Sequence, residues 1–177
     1  MYSNSSILSV LYGTWQLINI TQLTNGTLQN STASGVGTQP AGLLQYLSNG
    51  YMSANLMATE PSLRPADIDW PRKTNDSDAD WSLVGMYTLS YAGKFSLNVL
   101  ESATKGQMFH GPMTMANVPK WVGSTQTRNF TFWEGEAEKV GGQGRVRSKG
   151  AIGDKGTVLQ IGNEKCFLCG LWWVKIS

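Results

Sequence analysis

Charge, cysteine and histidine are all scarce in this chain of 177 residues, and each shortage removes a class of function. Charged residues make up 15% of the sequence and the formal net charge is +2, so no strong field exists to attract nucleic acid or an anionic membrane. No partner of either kind is expected. No apolar run approaches the roughly 20 residues that a membrane-spanning helix needs. The first ten residues lack the basic start and apolar core of a secretory signal.

The single histidine and two cysteines cannot complete a His/carboxylate or paired-cysteine metal cluster, so no metal is expected. Cys166 and Cys169 fall late in an apolar, strand-like run. On an extended strand, residues three apart point to opposite faces and lie roughly 10 Å apart, which predicts two buried free thiols rather than a disulfide. Nucleophile elbows, phosphate loops and dinucleotide fingerprints are absent as well. Any enzyme built on this chain is expected to work without a cofactor.

What the chain does have is Ser, Thr, Asn and Gly between short runs of Val, Ile, Leu, Tyr, Phe and Trp, the punctuation of an all-β meander. The spacing predicts strands at 12–21, 42–47, 51–58, 94–100, 107–113, 125–133, 144–152, 157–161 and 167–176. Tight turns fit Asn25-Gly26, Ser48-Asn49-Gly50 and Gly162-Asn163, where Gly takes a positive φ at little cost. The length suits one antiparallel barrel of about 8–10 strands spanning 1–177, with no internal boundary.

One stretch breaks the pattern. From Glu60 to Asp80 the chain carries Pro61, Pro65 and Pro71 with many acids, which predicts a surface flap. After it, Asp78 or Asp80 can cap a short helix near 78–91, whose Trp81, Val84 and Tyr91 share a face able to close one barrel end.

Asn-x-Ser/Thr sequons occur at Asn4, Asn19, Asn25, Asn30, Asn75 and Asn129, where chance at this composition gives about two. The excess points to a secretory-pathway glycoprotein; the alternative is a Ser/Thr-rich β-protein, in the cytoplasm, that simply collects sequons.

Gly13-Thr14-Trp15-Gln16-Leu17 is similar to the Gly-x-Trp signature of the lipocalin superfamily, in which the Trp packs across the closed end of the barrel. More specifically, the chain resembles the lipocalin-like domain family of bacteria and fungi, including members of fungal natural-product clusters. The resemblance rests on Pro40-Ala41-Gly42-Leu43-Leu44-Gln45-Tyr46, Asn49-Gly50-Tyr51-Met52-Ser53-Ala54 and Tyr91-Ala92-Gly93-Lys94-Phe95. Further on it rests on His110, Pro119-Lys120-Trp121-Val122-Gly123, Gln126-Thr127-Arg128 and the closing Leu171-Trp172-Trp173-Val174-Lys175. It implies a lipocalin-like barrel with room for a small molecule, and it leaves the activity open because one fold hosts many functions. Two departures stand out. Lys175 occupies the place of the family's closing Arg, which predicts a looser contact at that end, and the segments 24–38 and 60–80 are longer than the family core needs.

Alternation along strands sorts candidates for the interior. An outward, glycosylated Asn129 turns Gln126, Arg128, Phe130 and Phe132 towards the lumen. On the strand from Tyr51, the face of Tyr51, Ser53, Asn55 and Met57 offers the aromatic, amide and thioether mix of an adaptable pocket, against Met52, Ala54, Leu56 and Ala58 on the other. Tyr46, Tyr87 and Trp121 join the set as apolar walls that also carry polar handles. His110 is the default acid or base near neutral pH, or else an imidazole bridging buried strands. A lumenal Arg128 needs a partner: a ligand carbonyl, enolate or carboxylate, an internal acid, or a stacked Trp.

These residues suit a cofactor-independent cyclase or isomerase of secondary metabolism, pericyclic (hetero-Diels–Alder included) or proton-shuttling. His110, Arg128 and Tyr51 then polarise a carbonyl of a hydrophobic substrate. The alternatives are a carrier of a hydrophobic small molecule, and a surface-displayed glycoprotein with a solid interior. Long strands with exposed aromatics leave a homodimer open.

Overall fold

The computed structural model describes residues 4–24, 27–30, 35–133, 152–162 and 169–177. Helix α1 (Asn4–Leu11) precedes strands β1 (Gly13–Thr24), β2 (Thr27–Asn30), β3 (Ala41–Tyr46) and β4 (Tyr51–Met57). Helix α2 (Asp78–Met86) leads into β5 (Thr88–Leu100), β6 (Lys105–Ala116), β7 (Gln126–Trp133), β8 (Val158–Gly162) and β9 (Gly170–Lys175). All described pairings between these strands are antiparallel. β1 pairs with both β3 and β9, which closes eight strands into a barrel, and β2 hangs on β1 outside the ring.

Closure follows from alternation. In β3, Leu44 and Tyr46 point inward while Leu43 and Gln45 face out; in β4, Met52, Ala54 and Leu56 are buried. Each inward set stacks on the next through the register Leu44↔Ala54↔Tyr91 and Tyr46↔Met52↔Gly93. Gly93 allows β6 to come close: a Cβ there would lie 2.5 Å from the Pro112 carbonyl oxygen.

Eight of the nine predicted strands recur with shifted ends, the one expected at 144–152 lies almost wholly outside the described residues, and β2 is additional. β5 starts at Thr88, six residues before the expected Lys94, because the helix expected over 78–91 stops at Met86. That helix does not close the barrel. It buries no residue, and Ser77 caps it, accepting from the N–H groups of Ala79 and Asp80, in place of Asp78 or Asp80. Its apolar residues are too few on any one side to seat it, and Tyr91 belongs to β5.

The plug is α1, for which the sequence offered no capped pattern. Ile7 and Leu11 are buried against Trp15, whose indole N–H donates to the Leu11 carbonyl at 2.8 Å. Trp15 also stacks on Phe132. Lys175 Nζ sits 5.5 Å from the centre of a Trp15 ring and donates to the Val10 carbonyl at 2.8 Å, so the lysine in place of arginine binds α1 to the barrel floor. Burial lowers its pKa.

The flap over 60–80 is largely exposed, as expected. It is tied to the loop before β3 by Glu60, which accepts from Thr38 and from the backbone N–H groups of Gln39 and Thr59. Those bonds hold the carboxyl at about 2. The turn at Gly50 has the expected positive φ of 83°. Asn25-Gly26, Asn163, nearly all of the strand expected at 144–152, and Cys166 lie outside the described residues.

The free-thiol expectation is corrected. Cys169 is disulfide-bonded, and the only other cysteine is Cys166. β9 begins at Gly170, so Cys169 precedes the strand and the spacing of an extended chain does not apply. Of the sequons, Asn75 is exposed in the flap, whereas the carboxamide oxygen of Asn129 is buried.

Candidate functional site

The barrel is filled at one end and hollow at the other. Below, Trp15, Phe130, Phe132 and Leu159 pack solidly above α1. Above, a cavity of ≈ 340 Å³ opens among Ile20, Leu44, Leu56, Leu89, Ile161 and Leu171, apolar side chains drawn from six different strands. His110, Arg128, Trp173, Tyr91 and Trp121, with Thr21 and Gln22, supply its polar atoms and aromatic faces, and among the described residues no acid lines it.

An aromatic column carries the wall from the filled end to the mouth. Ring centres run from Phe95 to Tyr46 at 4.8 Å, on to His110 at 5.6 Å, to Tyr91 at 6.2 Å and to Trp121 at 5.5 Å. Trp121 ends the short 3₁₀ turn Pro119–Trp121 and edges onto Tyr91 at 73°, a favourable T-shaped arrangement.

His110 lies on the inward face of β6, 1% exposed. Its Nε2 is 2.7 Å from the Tyr46 hydroxyl, and its Nδ1 has no hydrogen-bond partner. Tyr46 Oη has one other neighbour, the Met108 sulfur at 3.3 Å, which is a weak acceptor. The phenol is the better donor and the imidazole nitrogen the better acceptor, so Tyr46 donates to Nε2 and the ring keeps its proton on Nδ1. Burial first, and the Arg128 charge second, push the imidazole pKa down to about 3. The ring is therefore neutral at physiological pH, a hydrogen-bond donor and not an imidazolium.

Arg128 comes from β7, directly opposite Met108 in the register. Its guanidinium donates to the Gln126 side-chain oxygen and to the Thr127 carbonyl. Among the described residues no carboxylate pairs with it. Burial raises the pKa values of Tyr46 and Tyr91, and Arg128 opposes the rise at both. The indole N–H of Trp173, 2% exposed, is a second buried polar group without a partner.

Of the residues expected at the site, His110, Arg128 and Trp121 line the cavity, and Tyr46 and Gln126 stand directly behind His110 and Arg128. Phe130 and Phe132 point inward but belong to the packed half, their rings tilted against each other with centres 5.6 Å apart. Tyr87 ends α2, away from the cavity.

The face chosen on β4 is corrected. Tyr51 is 43% exposed, Met57 40%, and Asn55 is exposed too; all three lie outside the barrel with Ser53, which bonds Gln45 across that outer surface at 3.3 Å. The neighbouring strands decide this: Leu44 and Tyr46 are inward, and their partners Ala54 and Met52 must follow them. Asn55 and Met57 instead border a larger recess of ≈ 560 Å³ on the outer wall, with Pro40, Leu43, Thr88 and Ser90. That recess has no charged side chain and no buried polar atom awaiting a partner, so the chemistry resides in the smaller, inner cavity.

Tyr91, Trp173 and the aliphatic walls went unassigned in the sequence. Tyr91 was hidden by its assignment to a helix. Leu44 and Leu56 were legible from alternation once the inward face was known. No group of His, Cys, Asp and Glu able to hold a metal occurs among the described residues.

Comparison with known proteins adds one finding. The sequence profile of the lipocalin-like domain matches residues 12–175. No curated protein and no solved structure matches the chain.

Proposed function

Because the chain belongs to the lipocalin-like domain family, we propose that its barrel takes up an apolar small molecule through the open end and holds it against His110 and Arg128. The observation that carries this reading is the hollow upper half of the barrel, apolar on most sides yet furnished with a few convergent polar groups, the usual make-up of a small-molecule site. A cavity of ≈ 340 Å³ suits a guest of two to four fused rings or a folded chain of similar bulk.

A second reading adds turnover, as a cofactor-independent cyclase or isomerase. It draws support from the pairing of a neutral, donating His110 with the Arg128 cation in one apolar chamber, which suits polarisation of a carbonyl while the walls hold reacting ends together. With a pKa of about 3, His110 does not serve as a general acid near neutrality, so the isomerisation this site favours is one driven by hydrogen-bond polarisation.

Both readings are tested by incubating the protein with a small-molecule extract of the producing organism and analysing bound and free compounds by mass spectrometry. Binding predicts recovery of an apolar compound, unchanged, with its affinity reduced by Arg128→Met. Cyclisation or isomerisation predicts a product of identical mass and altered retention time, formed more slowly by Arg128→Met and His110→Phe while the product still binds. A protein that retains no compound contradicts both.

A further inference from the structure

We propose that the guest of the inner cavity carries an anionic oxygen group, a carboxylate or an ionised enol or phenol, and that this group is seated on Arg128 and Trp173 with the apolar body towards the mouth. The proposal rests on the binding reading above and narrows its ligand class.

Polar balance inside the cavity carries the inference. Trp173 Nε1 can only donate, and it is buried without a partner. Arg128 can only donate, and its partners among the described residues, the Gln126 amide oxygen, the Thr127 carbonyl and the Tyr91 hydroxyl, are all neutral. In the deduced tautomer, His110 Nδ1 is a second donor without a partner. Against these donors the described lining offers no carboxylate; its side-chain acceptors, the Gln22 amide and the Thr21 and Tyr91 hydroxyls, are neutral, and both hydroxyls are already engaged. Thr21 accepts from Trp172 at 2.9 Å, and the Tyr91 hydroxyl accepts from Arg128.

A half-buried cation without a counter-charge is costly in an apolar chamber, and buried donors without acceptors add to that cost. A neutral ketone satisfies one or two donors but leaves the charge uncompensated. An anionic oxygen group satisfies donors and charge together, and the planar guanidinium matches a carboxylate or enolate in shape. An internal acid would also compensate Arg128; among the described residues none lines this cavity.

A matched pair of probes tests this at pH 7: 9-anthracenecarboxylate and its methyl ester, which share an apolar body and differ in charge. Binding is read from quenching of tryptophan fluorescence and from the anthracene emission. The expected result is tighter binding of the carboxylate by about 10- to 100-fold, the range for a hydrogen bond to a charged group. Arg128→Met is expected to abolish that preference by bringing the carboxylate down to the affinity of the ester, with an unchanged thermal melt showing that the variant is folded. Trp173→Phe is expected to weaken the carboxylate more than the ester. Equal affinities in the wild-type protein, or a preference that survives Arg128→Met, would overturn the anionic assignment and leave the cavity reading standing. Failure of both probes to bind would remove the cavity reading and the assignment with it.

Discussion

Burial decides what His110 can do, and it ties the stability of the protein to pH. The described groups that meet the imidazole are Tyr46, Tyr91 and Arg128; none is a carboxylate that could steady a protonated ring. Its folded pKa of about 3 lies below the ordinary 6.5, so between these values the unfolded chain binds the proton and the folded one does not. Stability is then complete above about pH 6.5 and falls as the pH drops towards 3, by up to a few kcal/mol. Glu60 has the same sign but acts only below its ordinary 4.5. We expect thermal melts of the wild-type protein to lose midpoint steadily from pH 6.5 to 4.5, and those of His110→Phe to stay flat over that window; parallel curves would show that His110 is not the buried group. Tyr46→Phe removes the donor to Nε2 and leaves that nitrogen buried without a partner, which is expected to cost about 1–3 kcal/mol by urea denaturation. No loss would mean that the ring is satisfied in another way.

Among the elements, α1 and α2 exchange the parts that pattern assigned them. α2 has a sound N-cap and no buried side; α1 is a short apolar stretch that becomes a helix because the barrel floor offers Trp15 and Lys175 as partners for its last carbonyls. Leu11→Ala is accordingly expected to destabilise by about 2–5 kcal/mol, the usual cost of emptying a filled core position. It is expected to leave probe affinity unchanged, because Leu11 lies at the opposite end from the cavity; denaturation and titration of the same variant check both halves. The strands were legible because period-two alternation is local, as in β3 and β4. The inward face of β4 was not, since it depends on which neighbour's side chains already fill the lumen. Arg128 and His110 were correctly aimed inward from β7 and from rarity, respectively, whereas Trp173 stayed hidden among aromatics that serve the packing. The cysteine pair was misread for the same reason as β4: a strand was extended past its true start at Gly170.

Across the whole molecule, the division of one barrel into a solid half and a hollow half is what makes a binding function follow from the fold. Seven tryptophans sample that division. Trp15 marks the solid end. Trp70 of the exposed flap pairs edge to face with Trp81 of α2, and Trp133 and Trp172 pack at a tilt with their N–H groups held by Gln160 and Thr21. Trp121 and Trp173 line the cavity. The most direct measurement is therefore a ¹H–¹⁵N spectrum of the indole N–H groups during titration with the anthracene probes. Binding inside the barrel predicts shifts at Trp173 and Trp121, with Trp15, Trp70 and Trp133 unmoved. Shifts centred on Trp70 and Trp81, with Trp173 unaffected, would place the guest on the flap and contradict the account.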